Sequence, residues 1–146
     1  MQSWQPGASP ALLRARAQLL RHVRQFFAER QVMEVETPLL CSSGVTDPAL
    51  EPLCVKGADA QVRYLQTSPE YAMKRLLAAG SGDIYQICKA FRADELGRRH
   101  NPEYTLLEWY RLGFDHHQLL RDVVKPEYTF LLVRVSQDWP WATLFQ

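Results

Sequence analysis

What this sequence has little of narrows it first. Cysteine occurs at three positions, Cys41, Cys54 and Cys88. An odd number at wide separations gives neither a paired disulfide framework nor a close metal-ligand spacing, which points to a reducing cytosol. No apolar run approaches the ~20 residues needed to cross a membrane. The amino terminus "MQSWQPGASP" also lacks the basic start and apolar run of a leader peptide, so a cytoplasmic placement is expected. Nor is there an excess of charge of one sign. Seventeen Lys and Arg against sixteen Asp and Glu leave a formal net charge of +1. That excludes a field strong enough to hold nucleic acid by overall charge and leaves only local basic patches. Partners have to be argued from sites.

What is present reads as one α+β domain. Of 146 residues, 47% are apolar and 23% charged, the balance of a globular chain with a single core. Residues 1–10, with Pro6, Gly7 and Pro10, form an irregular arm. From Ala11 to about Gln31, Leu12, Leu19, Leu20, Val23, Phe26 and Phe27 recur at helical spacing and define one covered face. The other faces carry Arg14, Arg16, Arg21, Arg24 and Arg30, either a surface for an acidic partner or a solvated face. "VMEVETPLL" is extended, with Pro38 at a strand edge or end. "CSSGVTDPALEP" is loop, and two strand-like pieces around "KGADA" are expected to pair antiparallel.

"LQTSPEYAMKRLLAAGSG" is a strand end followed by a helix. Ser68 caps that helix with Pro69 in its first turn, or Thr67 caps it with Glu70 closing a capping box, and Gly80 or Gly82 ends it. On the plain reading Glu70 is only a cap residue near a positive helix terminus.

The stretch "FRADELGRRHNPEYTLLEWYR", residues 91–111, packs eight formal charges and a histidine into twenty-one positions. In the preceding "DIYQICKAFR", strand alternation puts Gln86, Cys88, Ala90 and Arg92 on one face. In "YTLLEWYR" it groups Tyr104, Leu106, Glu108 and Tyr110. If the loop folds the strands back on each other, Arg92, Tyr104, Glu108 and Tyr110 converge over one sheet face. Arginine offers a planar fork of donors to phosphate or carboxylate, an aromatic ring stacks on a base, and a carboxylate beside a phenol holds an amine. The same pattern also fits a charged hairpin whose groups face water. His116 and His117 are adjacent, so they are expected to point to different sides and form a solvated pair, not a metal site.

"FFAERQVMEVETPLL" resembles motif 1 of the class II aminoacyl-tRNA synthetases, with Pro38 in the motif's proline position. "FRADELGRRHNPEYTLLEWY" resembles their motif 2. The strings "TSPEY", "MKRLL", "RRHNPE" and "LEWYR" are similar to the lysyl branch, and within it to the paralogues that attach (R)-β-lysine to elongation factor P. The resemblance covers about residues 3–123. It implies an antiparallel sheet flanked by helices in a partial catalytic domain over residues 11–124, ending before motif 3, with residues 125–146 as an atypical tail. It implies a homodimer through motif 1. It also implies ATP and Mg²⁺ as cofactors, although no metal ligand is identified in the sequence. In the family's pattern Arg92 contacts the α-phosphate and the substrate carboxylate and is the catalytic residue. Ala93 and Asp94 follow it in the ATP segment, Asp94 standing where a glutamate is usual. Asn101 matches an ATP-binding asparagine, and Tyr104 replaces the phenylalanine that stacks on adenine. Ser68, Pro69, Glu70, Glu108 and Tyr110 match substrate-binding positions, while Ala72 replaces a histidine common in the paralogue.

The implied function is ATP-dependent activation of lysine or (R)-β-lysine and its transfer to a lysine of elongation factor P. A catalytically inactive fragment that dimerises or binds nucleotide weakly is one alternative. A lysyl-tRNA synthetase core fragment is another. Only about ten residues precede the first helix, leaving no room for an anticodon-binding barrel, so a protein acceptor is expected in place of tRNA.

Overall fold

A computed structural model describes residues 4, 6–93 and 101–123. The tail from 125 onward and the stretch 94–100, which contains Asp94, lie outside the described residues.

Helix α1 runs from Pro10 to Ala28. Ser9 caps it by accepting the Leu12 N–H at 3.2 Å, and Pro10 sits where no N–H is needed. The face expected from periodicity is the covered one, since Leu12, Leu19, Leu20, Val23 and Phe26 are half-buried and Phe27 is buried. The helix ends in a left-handed residue. Gln31 takes φ 56°, so Gln31 N–H reaches Ala28 O and Val32 N–H reaches Phe27 O, which tucks Val32 beside Phe27.

The motif 1 segment then breaks into two short strands, β1 (Met33–Glu34) and β2 (Leu40–Cys41), with Pro38 between them. Strands β3 (Cys54–Lys56) and β4 (Val62–Leu65) pair antiparallel around the Gly57–Ala60 turn, as expected, and β2 joins β4 on its other side. Strands β5 (Ile84–Phe91) and β6 (Glu103–Tyr110) make the long hairpin of a second sheet, ordered β1-β5-β6. The expectation of an antiparallel sheet needs one correction. β1 runs parallel to β5, with Met33 opposite Ile84, because the chain reaches β5 from β1 by way of the β2-β4-β3 sheet and helix α2, not by a hairpin.

Helix α2 spans Glu70–Ala78. Of the two capping schemes expected for it, the Thr67–Glu70 box is not built, and the Ser68 cap is met in its hydrogen bond although the helix proper begins one residue later. Pro69 is the cap residue and makes no side-chain bond, while the Ser68 hydroxyl accepts the Glu70 N–H at 3.1 Å. At the other end Gly80, at φ 86°, closes the helix as expected, with Gly80 N–H on Leu77 O and Ser81 N–H on Leu76 O.

The back of the β5–β6 hairpin carries the core. Phe27 stacks on Tyr85 with ring centroids 4.1 Å apart and meets Trp109 at 6.2 Å. Val23, Phe26, Val32, Ile87 and Leu107 pack around them. Burying each large side chain of this kind contributes about 1.5–3 kcal/mol. Tyr85 also donates its hydroxyl to Glu34 at 2.8 Å. Burial first, and then this bond, push its pKa up to about 12. The folded form therefore keeps a proton that the unfolded chain gives up near pH 10. Stability from Tyr85 is complete below pH 10 and is lost as pH rises toward 12. Denaturant unfolding at pH 9 and pH 11 is expected to show this loss, and Tyr85→Phe is expected to reduce it.

The basic face of α1 is neither a free patch nor simply solvated. Arg16 donates to Thr105 Oγ1 at 3.1 Å, Arg24 pairs with Glu34, and Arg30 Nε donates to Asp122 at 3.0 Å. Asp122 belongs to helix α3 (His116–Val123), whose first turn is capped reciprocally by Asp115 and Gln118. Its second oxygen accepts from Arg111 Nη1 at 3.0 Å, and Arg111 Nε donates to Asp83 at 2.7 Å. One carboxylate thus ties α3 to the ends of α1 and β6, with side chains only 13–17% exposed. Asp122→Ala leaves two guanidinium groups short of a partner at a largely dry junction. It is expected to cost about 3 kcal/mol of unfolding free energy, measured by denaturant titration. His116 and His117 on α3 are both exposed, but their rings lie 3.9 Å apart and do not diverge. A helix separates neighbouring residues by only part of a turn, and χ rotation closes the remaining gap.

Candidate active site

The front of the β5–β6 hairpin carries the candidate site. Its register is fixed by eight cross-strand pairs, among them Gln86 opposite Glu108, Cys88 opposite Leu106 and Ala90 opposite Tyr104. Paired residues share a face, so Gln86, Cys88 and Ala90 join Tyr104, Leu106, Glu108 and Tyr110, the grouping expected from alternation.

Glu108 is the centre of one end. Its Oε2 accepts the Ser68 hydroxyl at 2.8 Å and its Oε1 accepts the Tyr110 hydroxyl at 2.6 Å. Ser68 is held in turn by the Glu70 N–H, so the start of α2 is latched to β6 through one hydroxyl. Tyr110 has its pKa raised, first by burial and then by the bond to Glu108, with the Glu70 charge adding a smaller push. It therefore stays a donor, and Glu108 stays an acceptor with a lone pair left on each oxygen. Glu70 is ion-paired with Lys74 one turn along α2. Pro69 is fully buried and contributes packing beneath the latch.

Arg92 and Tyr104 form the other end. The Arg92 guanidinium lies over the Tyr104 ring, 5.3 Å from its centroid, within cation–π range. The Arg92 N–H donates to Pro102 O at 2.9 Å, which closes the mouth of the hairpin. Tyr104 donates its hydroxyl to Thr67 O at 3.4 Å. Arg92 therefore stands on the same side as Tyr104, Glu108 and Tyr110. The Ala93 N–H is already taken by Glu51 O at 2.9 Å, so in this segment it binds the "CSSGVTDPALEP" loop. Asn101 is half-buried just ahead of β6.

Between the two ends the strand edge is covered from above. Gln66 O accepts the Phe91 N–H at 2.9 Å, and Gln66 Nε2 donates to Lys89 O at 2.9 Å and to Cys88 Sγ at 3.4 Å. Sequence reasoning placed Gln86 on this face without giving it a role and missed Gln66 and Thr37; all three are buried polar residues on or against the face. Their signal was a glutamine in an otherwise apolar strand and another just before "TSPE". A separate groove of about 460 Å³ opens where β1 leaves β5, lined by Arg24, Glu34, Glu36, Thr37, Gln86 and Lys89 among others. It lies at the strand edge and does not include Arg92 or Glu108.

A carboxylate held by two hydroxyls can take an ammonium, and an arginine on an aromatic ring farther along the same strand pair can take phosphate or carboxylate oxygens. Comparison with known proteins decides the family. A model of the tRNA synthetases class II (D, K and N) matches residues 5–134. The chain belongs to that family. Among curated relatives, the Elongation factor P–(R)-β-lysine ligase of Vibrio campbellii is 56% identical over 126 residues, covering 83% of this chain and 39% of its own length. The ligase of the same name from Erwinia tasmaniensis is 54% identical over the same span. That of Pseudoalteromonas translucida is 54% identical over 148 residues, 98% of this chain and 46% of the relative. This class II chain thus spans less than half the length of these curated relatives. Among the described residues no helix is long and apolar enough to cross a membrane.

Proposed function

We propose that this chain supplies the amino-acid and nucleotide face of an ATP-dependent aminoacyl ligase. The ligase activates lysine or (R)-β-lysine as an aminoacyl adenylate and passes it to a lysine of elongation factor P. One observation carries the reading. Glu108, fixed by Ser68 and Tyr110, and Arg92, laid on Tyr104, look out from the same sheet face. The four steps from Tyr104 to Glu108 span about 13 Å of strand. A ligand that reaches both would carry an amine at one end and an activated carboxylate at the other.

The chemistry follows from charge. The substrate carboxylate attacks the α-phosphorus in line, the bond to the bridging oxygen breaks, and pyrophosphate leaves with the electron pair. Negative charge builds on the α-phosphate oxygens, where the Arg92 fork stabilises it. Glu108 holds the distant amine as an ammonium, which sets the carboxylate's approach. Tyr104 offers its ring to adenine, with Asn101 and Asp94 as further ATP contacts and Glu70 as a second carboxylate for an amine. In the transfer step the acceptor lysine amine attacks the mixed anhydride carbonyl, AMP leaves, and the amine loses its proton to solvent.

The described residues contain no group of three His, Cys, Asp or Glu side chains that could hold a metal ion. Mg²⁺ accompanying ATP therefore has no cage in them, and no step here is routed through it. The same reading takes motif 1 as the contact of a homodimer, a protein in place of tRNA as the acceptor, and the cytoplasm as the compartment. ATP–pyrophosphate exchange tests it. Exchange that depends on (R)-β-lysine or lysine is expected, and exchange indifferent to both amino acids would overturn it.

A further inference from the structure

Gln86 has no task in the chemistry above, yet it is 1% exposed and stands directly across from Glu108. Cross-strand partners on one face have Cβ atoms about 5 Å apart, so amide and carboxylate share one floor. Thr37, itself 6% exposed, donates its hydroxyl proton to Gln86 Oε1 at 3.0 Å. The other half of the amide, Nε2, is buried with no oxygen or nitrogen acceptor among the described residues and meets only the weak acceptor of the Cys88 sulfur. An N–H in that position costs free energy, and native interiors rarely keep one.

The amide itself offers the remedy. Turned half a revolution about its last bond, it fills the same volume with nitrogen and oxygen exchanged. Nε2 then donates to the Thr37 hydroxyl oxygen, and Oε1 takes the buried place next to Glu108 and Cys88. Cys88 suits that neighbour. Its pKa is raised, above all by burial; the bond from Gln66 and that from Gln86 oppose this and the Glu108 charge adds to it, so the thiol keeps an S–H, which can donate to a carbonyl.

An ammonium needs three acceptors. Each Glu108 oxygen already receives one hydroxyl and has one place left. A neutral carbonyl supplies the third place without adding a second buried negative charge, so one anion still faces one cation. We propose that Gln86, set by Thr37, binds the ligand's ammonium group as a neutral acceptor beside Glu108. The ligand class is an acid with a primary amine several bonds from its carboxylate. The assignment rests on the function proposed above.

Two measurements test it. Calorimetric titration with lysine and with (R)-β-lysine is expected to show Gln86→Met binding either about 10–100-fold more weakly, the loss of one hydrogen bond to a charged group. ATP affinity is expected to stay within about twofold, because Gln86 lies at the amine end; a merely structural role would move both affinities. Thr37→Val, which frees the amide to turn, is expected to weaken amine binding several-fold, and it carries the test if Gln86→Met does not fold. In the unaltered chain, NMR should show Gln86 amide protons close to the Thr37 methyl group. Amine affinity unchanged in either variant, an equal loss for ATP, or amide protons remote from Thr37 would overturn the assignment. Failure of the unaltered chain to bind either amino acid would remove the functional reading as well. Binding that survives both substitutions would remove only the role of Gln86.

Discussion

Replacing Arg92 with alanine is expected to slow ATP–pyrophosphate exchange by on the order of 10²–10³. The size follows from where charge appears. Adenylate formation asks little covalent chemistry of the protein, so the barrier falls mainly through positioning and through donors aimed at the α-phosphate oxygens. Arg92 is the residue in the described site with a planar fork of such donors, set over Tyr104 at the end of β5. Its backbone is held separately, by the N–H bond to Pro102 O, so the substitution removes the guanidinium and leaves the mouth of the hairpin closed. Far-UV circular dichroism should therefore be unchanged. Arg92→Lys is expected to fall between the two, since an ammonium keeps the charge and loses the bidentate geometry.

The second large effect is expected at Glu108. Glu108→Gln keeps the volume but removes the charge that the ligand's ammonium needs, and it strands one of two donors. Ser68 and Tyr110 each give a proton to a separate carboxylate oxygen, and an amide offers only one acceptor atom. A charge-assisted bond of this kind is worth about 1.5–3 kcal/mol, or roughly 10–100-fold in the KM for the amino acid. The stranded donor adds to that. The KM for ATP is expected to stay put. Tyr110→Phe should cost less, about 1.5 kcal/mol, the low end for a bond to a charged group, because it removes one donor and leaves the carboxylate and its charge in place.

The parts of this molecule that were legible in the sequence are those set by local periodicity. The covered face of α1 follows from spacing of three and four, and the shared face of Gln86, Cys88, Tyr104, Glu108 and Tyr110 follows from alternation on two strands joined by one loop. Left-handed Gly80 as the end of α2 was readable for the same reason, since glycine carries that conformation at little cost. The parts that were not legible depend on residues far apart in the chain. The parallel pairing of β1 with β5 joins segments some fifty residues apart. The Arg30–Asp122 pair spans 92 positions, and the Thr37–Gln86 bond spans 49. Ser68 shows how local reasoning misleads. Its hydroxyl was expected to cap α2, and it does accept the Glu70 N–H, but its proton goes to Glu108 on another element. The "DHHQ" run, by contrast, was a readable signal, because Asp and Gln three positions apart are the two halves of a capping box.

The most direct measurement is the binding of a stable sulfamoyl analogue of the β-lysyl adenylate to this chain and to its Arg92→Ala, Glu108→Gln and doubly substituted forms. If both residues grip one ligand, each single change weakens binding at least about tenfold. The two losses are also expected to come from opposite ends of the same molecule, Arg92→Ala sparing free lysine less than Glu108→Gln spares free ATP. Undiminished affinity in either single variant would mean that the front of the hairpin is not where the adenylate sits.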